Sequence, residues 1–149
     1  MSPIINNPKN PSPNQIIPAE EFNLDLPDQD GNILQSYPPD VVDNLRQLII
    51  RLGINQPFPA RLALTSALRG EGVSYQTFAL AATIANDSDA NVGIVDLNWW
   101  YPGLMAGFID QPGGLATVID GTQKLDQVII PSRWPNLSFI PAGTSPGRA

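Results

Sequence analysis

A glycine-containing stretch near the middle of the chain has the residue types of a phosphate-binding loop. Residues 67–74 read ALRGEGVS and lie between a short apolar run and an alanine-rich segment. In a P-loop, glycines let successive backbone N–H groups point at phosphate oxygens, a lysine adds positive charge, and a serine or threonine hydroxyl binds magnesium. Gly70, Gly72 and Ser74 fit this pattern. The first glycine is replaced by alanine and the lysine by Val73, so the stretch also fits a strand-to-helix turn that binds nothing.

The segments around this loop predict an α/β fold. Residues 61–66 and 92–96 have the composition of short buried strands, and residues 74–85 between them have that of a buried helix. Strand, glycine loop, helix and strand form a βαβ unit, which requires a parallel sheet. Two further helices and one further strand are predicted at residues 41–52 (with Asp40 as the N-cap), 115–120 and 137–140.

The composition excludes several kinds of chemistry. The chain has 149 residues, enough for one domain, and its formal net charge is -6, which disfavours nucleic acid as a partner. It contains no cysteine and no histidine, so disulfides, Cys/His zinc sites and imidazole bases are excluded. Only 15% of the residues are charged, which hints that a partner covers part of the surface. No apolar run is long enough to span a membrane and no secretory signal begins the chain, so we expect a cytoplasmic location.

The first forty residues differ in composition from the rest. Residues 1–40 hold eight of the sixteen prolines, and Asn, Gln and acidic residues fill the gaps. Such a segment buries too little apolar surface to offset the entropy of ordering, which predicts a flexible tail, although an arm lying on a partner is the alternative. The predicted domain therefore covers residues 41–149.

Four segments of the chain carry a resemblance to a known family: residues 66–74 (SALRGEGVS), 94–102 (IVDLNWWYP), 114–121 (GLATVIDG) and 135–143 (PNLSFIPAG). In the same order they resemble the patterns Ser-x-x-Pro-Gly-Glu-Gly-Lys-Ser/Thr, Ile-Asp-Ala-Asp-Leu-Arg-Arg-Pro, Gly-Leu-Ser-Asp-Val-Leu-x-Gly and Pro-Asn-Leu-x-Val-Leu-Pro-Ala-Gly of the bacterial tyrosine kinases of capsule and exopolysaccharide export. These kinases belong to the P-loop branch of the cell-division and plasmid-partition ATPases. The resemblance implies a three-layer α/β/α P-loop domain with a mainly parallel sheet.

The chain departs from the family at positions that carry charge. Val73 stands at the lysine, Arg69 at the proline before the glycines, and Asn98 at the second acid. The family's tyrosine-rich tail and its Walker B strand have no counterpart, so we expect the C-terminal part of the fold to be missing. The valine, the asparagine and the missing Walker B acid each point towards loss of phosphoryl transfer, which depends on positioning and charge neutralisation. Arg69 either contacts phosphate from a new direction or is a solvated loop residue.

The resemblance also implies site residues. Those predicted to contact nucleotide, if any binds, are Arg69, Gly70, Glu71, Gly72, Val73, Ser74 and Tyr75. Ser74 and Asp96 are the candidate magnesium ligands, and Asp96 is the candidate catalytic residue, although each also fits a purely structural position. Arg46 lies where the family has a subunit-contact motif. Trp99, Trp100 and Tyr101 replace the family's Leu-Arg-Arg and form either a docking patch or part of the core.

Three functions follow from these predictions. The first is a degenerate, regulatory or binding component of exopolysaccharide production that needs no cofactor and acts near the inner membrane face. Its partner would be a membrane polysaccharide copolymerase or a related kinase subunit. The second is an active ATP-dependent tyrosine kinase or ATPase that uses Mg-ATP and Arg69. The third is a truncated structural domain that forms a homo-oligomer through an open sheet edge.

Overall fold

The computed structural model describes residues 23–99 and 113–143, and these form a mixed α/β structure. The elements in chain order are β1 (Leu24–Pro27), β2 (Ile33–Tyr37), α1 (Pro39–Gly53), α2 (Val73–Asp87), β3 (Val92–Val95), α3 (Leu115–Ile119), β4 (Ile130–Pro131) and β5 (Leu137–Ile140). No helix in the described ranges is both long and apolar enough to cross a bilayer.

Residues 24–37, which the sequence placed in a flexible tail, form a β-hairpin. β1 and β2 pair in antiparallel fashion, with Leu24 opposite Tyr37. The turn is held by Asp28, whose Oδ1 accepts hydrogen bonds from the N–H groups of Asp30 and Asn32 at 2.8 Å each. Leu26 and Tyr37 are fully buried in the core shared with α2. Burial of these two side chains against α2 therefore orders a segment whose overall composition is that of a tail. Residues 1–22 lie outside the described residues.

The two long helices are close to their predicted positions. α1 starts with Pro39 in its first turn. Of its apolar residues at helical spacing, Val42 and Leu45 are buried, whereas Leu48 is exposed, so the predicted apolar face is confirmed in part. Asp40 lies inside the first turn and does not cap the helix, because Pro38 is the N-cap residue. α2 buries a run of small residues between positions 79 and 85, which lets it lie close to neighbouring elements. It packs against α1, β1, β3 and β5 and is the centre of the fold.

The larger sheet has the strand order β3-β5-β4. β3 and β5 are parallel, with Ile94 opposite Phe139, and β4 pairs with β5 in antiparallel fashion. The predicted α/β class and the strands over 92–95 and 137–140 are confirmed. The sheet contains one parallel and one antiparallel pair, and β3 lies at one edge of its described part.

The predicted strand over residues 61–66 is wrong. This segment lies outside both described sheets, and every residue in it is exposed, including Leu62 (41%) and Leu64 (36%). Its composition favours a strand, but a strand forms only where a neighbouring strand accepts its hydrogen bonds, and no described strand lies beside it. The βαβ unit that the sequence predicted around the glycine loop therefore lacks its first strand within the described structure.

Candidate functional site

The start of α2 lies at the edge of the sheet where β3 and β5 end. Phe78, near the start of α2, packs edge-on against Phe139 near the end of β5, with ring centroids 5.8 Å apart. At the opposite end, Asn136 Nδ2 donates a hydrogen bond to the carbonyl oxygen of Ala85 at 2.8 Å. These two contacts make α2 antiparallel to β5. The glycine loop before α2 and the residues after both strands therefore share the carboxyl edge of the sheet.

The glycine loop makes a tight turn into α2. Gly72 is the N-cap residue of α2, with φ 80° and ψ 19°, and its carbonyl oxygen accepts the first helical hydrogen bond from Gln76 at 2.9 Å. This left-handed conformation explains the glycine, because a Cβ atom there would strain the backbone. Gly70 also has a positive φ, of 87°. The predicted glycine turn at a helix N-terminus is thus present.

The loop is closed by its own side chains. Ser66 Oγ donates a hydrogen bond to the carbonyl oxygen of Leu68 at 2.8 Å. The N–H group of Leu68 donates to Glu71 Oε2 at 3.2 Å. A carboxylate of the chain itself therefore accepts a loop amide, the kind of group that holds a phosphate oxygen in a P-loop.

The first residues of α2 give the loop no positive charge. Val73, at the lysine position, is half-buried, and its carbonyl oxygen accepts a hydrogen bond from Thr77 Oγ1 at 2.8 Å. Ser74 lies in the first turn of the helix and is also half-buried. Tyr75 packs edge-on against Tyr37, with ring centroids 5.1 Å apart, which ties the start of α2 to the hairpin. The nucleotide and magnesium roles of these residues remain predictions.

Asp96 lies directly after β3 and is almost completely buried, at 3% exposed. Its N–H group extends the sheet by donating to the carbonyl oxygen of Ile140 at 3.0 Å. Its Oδ1 atom accepts a hydrogen bond from the N–H group of Asn98 at 2.8 Å. Asp96 therefore caps the turn after β3, which is the kind of structural position that the sequence left open beside a magnesium role. The catalytic and metal roles of Asp96 remain predictions.

Of the three consecutive aromatic residues, the structure describes only Trp99. Its indole Nε1 donates a hydrogen bond to the carbonyl oxygen of Ala142 at 3.0 Å, and the side chain is half-buried. Trp99 thus fixes the turn after β3 to the turn after β5, in line with the packing alternative. Trp100 and Tyr101 lie outside the described residues, so their docking role remains a prediction.

A close backbone contact joins two segments of the resemblance, and the sequence analysis did not predict it. The N–H groups of Leu115 and Ala116 donate to the carbonyl oxygens of Pro141 and Ala142 at 2.7 and 2.9 Å. A Cβ atom on Gly114 would lie 2.5 Å from the backbone nitrogen of Gly143. The only signal in the sequence was the presence of a glycine in each segment, and nothing there showed that the two meet.

Arg46 forms an ion-pair cluster within the chain. Its Nε and one terminal nitrogen donate to the two carboxylate oxygens of Asp87 at 2.7 and 3.0 Å, and its other terminal nitrogen donates to Asp43 at 2.9 Å. The hydrogen bonds from Arg46 lower the pKa of Asp87, and those to Asp87 and Asp43 raise the pKa of Arg46. The cluster joins α1 to the last residue of α2. A subunit contact by Arg46 remains a prediction, and any partner would compete with these two acids.

The charged side chains of the glycine loop are Arg69 and Glu71, which have opposite signs, whereas Val73 is uncharged and Asn98 is an amide. Triphosphate needs cations at its outer oxygens, and magnesium prefers carboxylate and hydroxyl oxygens. Within residues 23–99 and 113–143, no group of three or more acidic side chains is placed to hold a metal ion.

Comparisons with protein-family models, with curated proteins and with solved structures found no match for this chain.

Proposed function

We propose that this chain is a non-catalytic relative of the polysaccharide-export tyrosine kinases that acts as a binding or regulatory component in making a capsule or exopolysaccharide. Its partner would be a membrane polysaccharide copolymerase or an active kinase subunit at the inner face of the membrane. The described part of the chain would then be a P-loop-like scaffold in which the glycine loop is retained as a turn and binds no nucleotide.

The proposal depends chiefly on the glycine loop, which has an internal carboxylate and lacks the lysine. The Leu68 amide is bonded to Glu71, and the side chain at the lysine position is that of Val73. A charged hydrogen bond is worth roughly 1.5–3 kcal/mol, so its loss weakens nucleotide binding roughly 10- to 150-fold. The carboxylate of Glu71 acts in the same direction, because it must leave the loop amide or repel the phosphate that replaces it.

Contacts between three of the resembling segments support the proposed relationship to the tyrosine kinases. Residues 94–102 begin in β3 and residues 135–143 contain β5, and these two strands are parallel neighbours. Residues 114–121 contain α3, whose first turn is hydrogen-bonded to the segment after β5. Three of the four resembling segments thus lie beside one another in the structure, which agrees with the proposed relationship.

Titration calorimetry with Mg-ATP tests the loss of nucleotide binding. We expect no saturable heat for the purified chain at millimolar ATP. Binding at micromolar ATP would refute the proposal. If that binding were lost in Arg69→Ala, and the unaltered chain also released phosphate, the active enzyme that uses Arg69 would be the correct function.

A genetic test addresses the binding role. Deleting the gene in its native strain should reduce or alter the polymer, and adding back the unaltered gene should restore it. Ser74→Ala, which removes the hydroxyl that a P-loop uses for magnesium, should restore the polymer equally well. If Ser74→Ala fails while the variant protein accumulates normally, the role is catalytic, and the proposal is wrong.

A further inference from the structure

One stretch of this acidic chain contains no acid. Residues 44–70 contain four arginines, at positions 46, 51, 61 and 69, and neither aspartate nor glutamate. The remainder of the chain holds the other four basic residues and all fourteen acidic ones. The charge is therefore divided between a positive segment and a strongly negative remainder.

The same stretch carries most of the large apolar side chains that the described structure exposes. Seven of the thirteen lie between residues 48 and 68, which we call the exposed strip: Leu48, Ile50, Ile54, Phe58, Leu62, Leu64 and Leu68. Ile54 and Leu68 are the most exposed, at 64% and 68%. Exposed apolar side chains concentrated in one segment indicate a contact with a partner or a membrane.

The middle of the exposed strip, between helix α1 and the loop closed by Glu71, is not held by backbone hydrogen bonds within the described structure. From residue 55 to residue 66 no backbone hydrogen bond to another described residue is present. Arg51 and Arg61 are exposed, and neither forms an ion pair with a described residue. Leucine and phenylalanine side chains beside unpaired arginines form the combination that segments lying in the interface of an anionic bilayer use.

We propose that the exposed strip binds directly to the surface of an anionic phospholipid membrane. Charge complementarity favours this occupant, because the exposed Arg51 and Arg61 are attracted to an anionic surface, whereas Arg46 is already paired with Asp43 and Asp87. The leucine and phenylalanine side chains then enter the headgroup region, where water still solvates the unpaired backbone. This binding is independent of nucleotide and of the proposed protein partner. It would bring the chain to the membrane face without a spanning helix.

Sedimentation with lipid vesicles tests the proposal on the full chain. One vesicle preparation contains phosphatidylcholine and phosphatidylglycerol in equal parts, and the other contains phosphatidylcholine alone. We expect the chain to pellet with the first and to stay in solution with the second. High salt should weaken the binding, because the arginines contribute through charge.

Two double variants separate the charged and apolar contributions. An arginine near an anionic surface contributes about fivefold in affinity, so Arg51→Gln with Arg61→Gln should weaken binding about 30-fold. Leu62→Gln with Leu68→Gln removes apolar surface from exposed positions and should weaken binding at least about tenfold. Both pairs change exposed residues, so the fold should be retained.

Matched controls use similar residues outside the exposed strip. Ile33→Gln with Ile119→Gln changes two side chains that are 61% and 68% exposed, and it should leave binding unchanged. Lys124→Gln with Arg133→Gln removes the same charge as the arginine pair and should weaken binding far less. Equal losses in these controls would overturn the proposal, since they would place the effect elsewhere on the surface.

Two other results would also overturn it. The first is an absence of pelleting with the phosphatidylglycerol vesicles. The second is a dimer, seen by light scattering, that is abolished by Leu62→Gln with Leu68→Gln while vesicle binding by the same variant is unaffected. That result would show that the exposed strip binds a second copy of the chain.

Discussion

Gly114 lies where two backbone segments approach too closely for any side chain. A Cβ atom there would be 2.5 Å from Gly143 N, 2.6 Å from Pro141 O and 2.7 Å from Gly143 Cα. All three are backbone atoms, and ordinary contacts at such a position are about 3.4–4 Å. Gly114→Ala therefore requires the segment before α3 to move away from the segment after β5.

This movement has a cost that can be worked out from the contacts it breaks. The hydrogen bonds from Leu115 to Pro141 (2.7 Å) and from Ala116 to Ala142 (2.9 Å) lie at the same junction. Losing two backbone hydrogen bonds costs about 1–3 kcal/mol, and overpacking typically costs about 1–3 kcal/mol more. We expect Gly114→Ala to lower the free energy of unfolding by about 2–6 kcal/mol.

Urea unfolding followed by circular dichroism measures this loss. The matched control is Gly53→Ala, because a Cβ atom on Gly53 meets nothing within 4 Å and the residue ends α1. The control should change stability by less than about 1 kcal/mol, since helix propensity is the main difference. A loss below about 1 kcal/mol in Gly114→Ala would refute the close packing of the two segments.

Three further substitutions test other contacts in the same unfolding assay. The hydroxyl of Tyr37 is buried without a hydrogen-bond partner among the described residues, so Tyr37→Phe should stabilise the fold by up to about 1 kcal/mol, and a loss would show a missed partner. Asn136 Nδ2 donates to the carbonyl oxygen of Ala85 in the last turn of α2 and to two carbonyl oxygens in the residues that follow it, so Asn136→Asp should cost about 2 kcal/mol, and unchanged stability would contradict these contacts. Arg46 lowers the pKa of Asp87 from its ordinary value of 3.8, so the stabilisation is complete above that value and is lost as the pH falls below it. Asp87→Asn should therefore cost up to about 1 kcal/mol at neutral pH and less at pH 3, and a difference that grows with acidity would contradict the ion pair.

The elements that the sequence predicted correctly are those that local patterns specify. α1 has its apolar residues at helical spacing, and β5 has alternating buried residues bounded by proline and asparagine. The glycine turn before α2 was predictable for the same reason, because Gly72 adopts a conformation that few other residues tolerate.

The elements that the sequence did not predict depend on distant partners. The hairpin is ordered because Leu26 and Tyr37 are buried with α2, and proline and acid content gave no sign of this contact. Residues 61–66 show the opposite case. Their composition is that of a strand, but they form none, because no strand among the described residues lies beside them. The bond between Glu71 and the Leu68 amide depends on the path of the loop, which its sequence does not specify.

A lysine at position 73 tests most directly the proposal that the loop binds no nucleotide because it lacks a cation there. Calorimetry with Mg-ATP would compare the unaltered chain with Val73→Lys, and with Val73→Met as a long, uncharged control. If the absent cation is what disables the loop, only Val73→Lys should gain saturable binding, by roughly 10- to 150-fold over any residual affinity. Strong binding by the unaltered chain, or equal binding by all three proteins, would contradict the account.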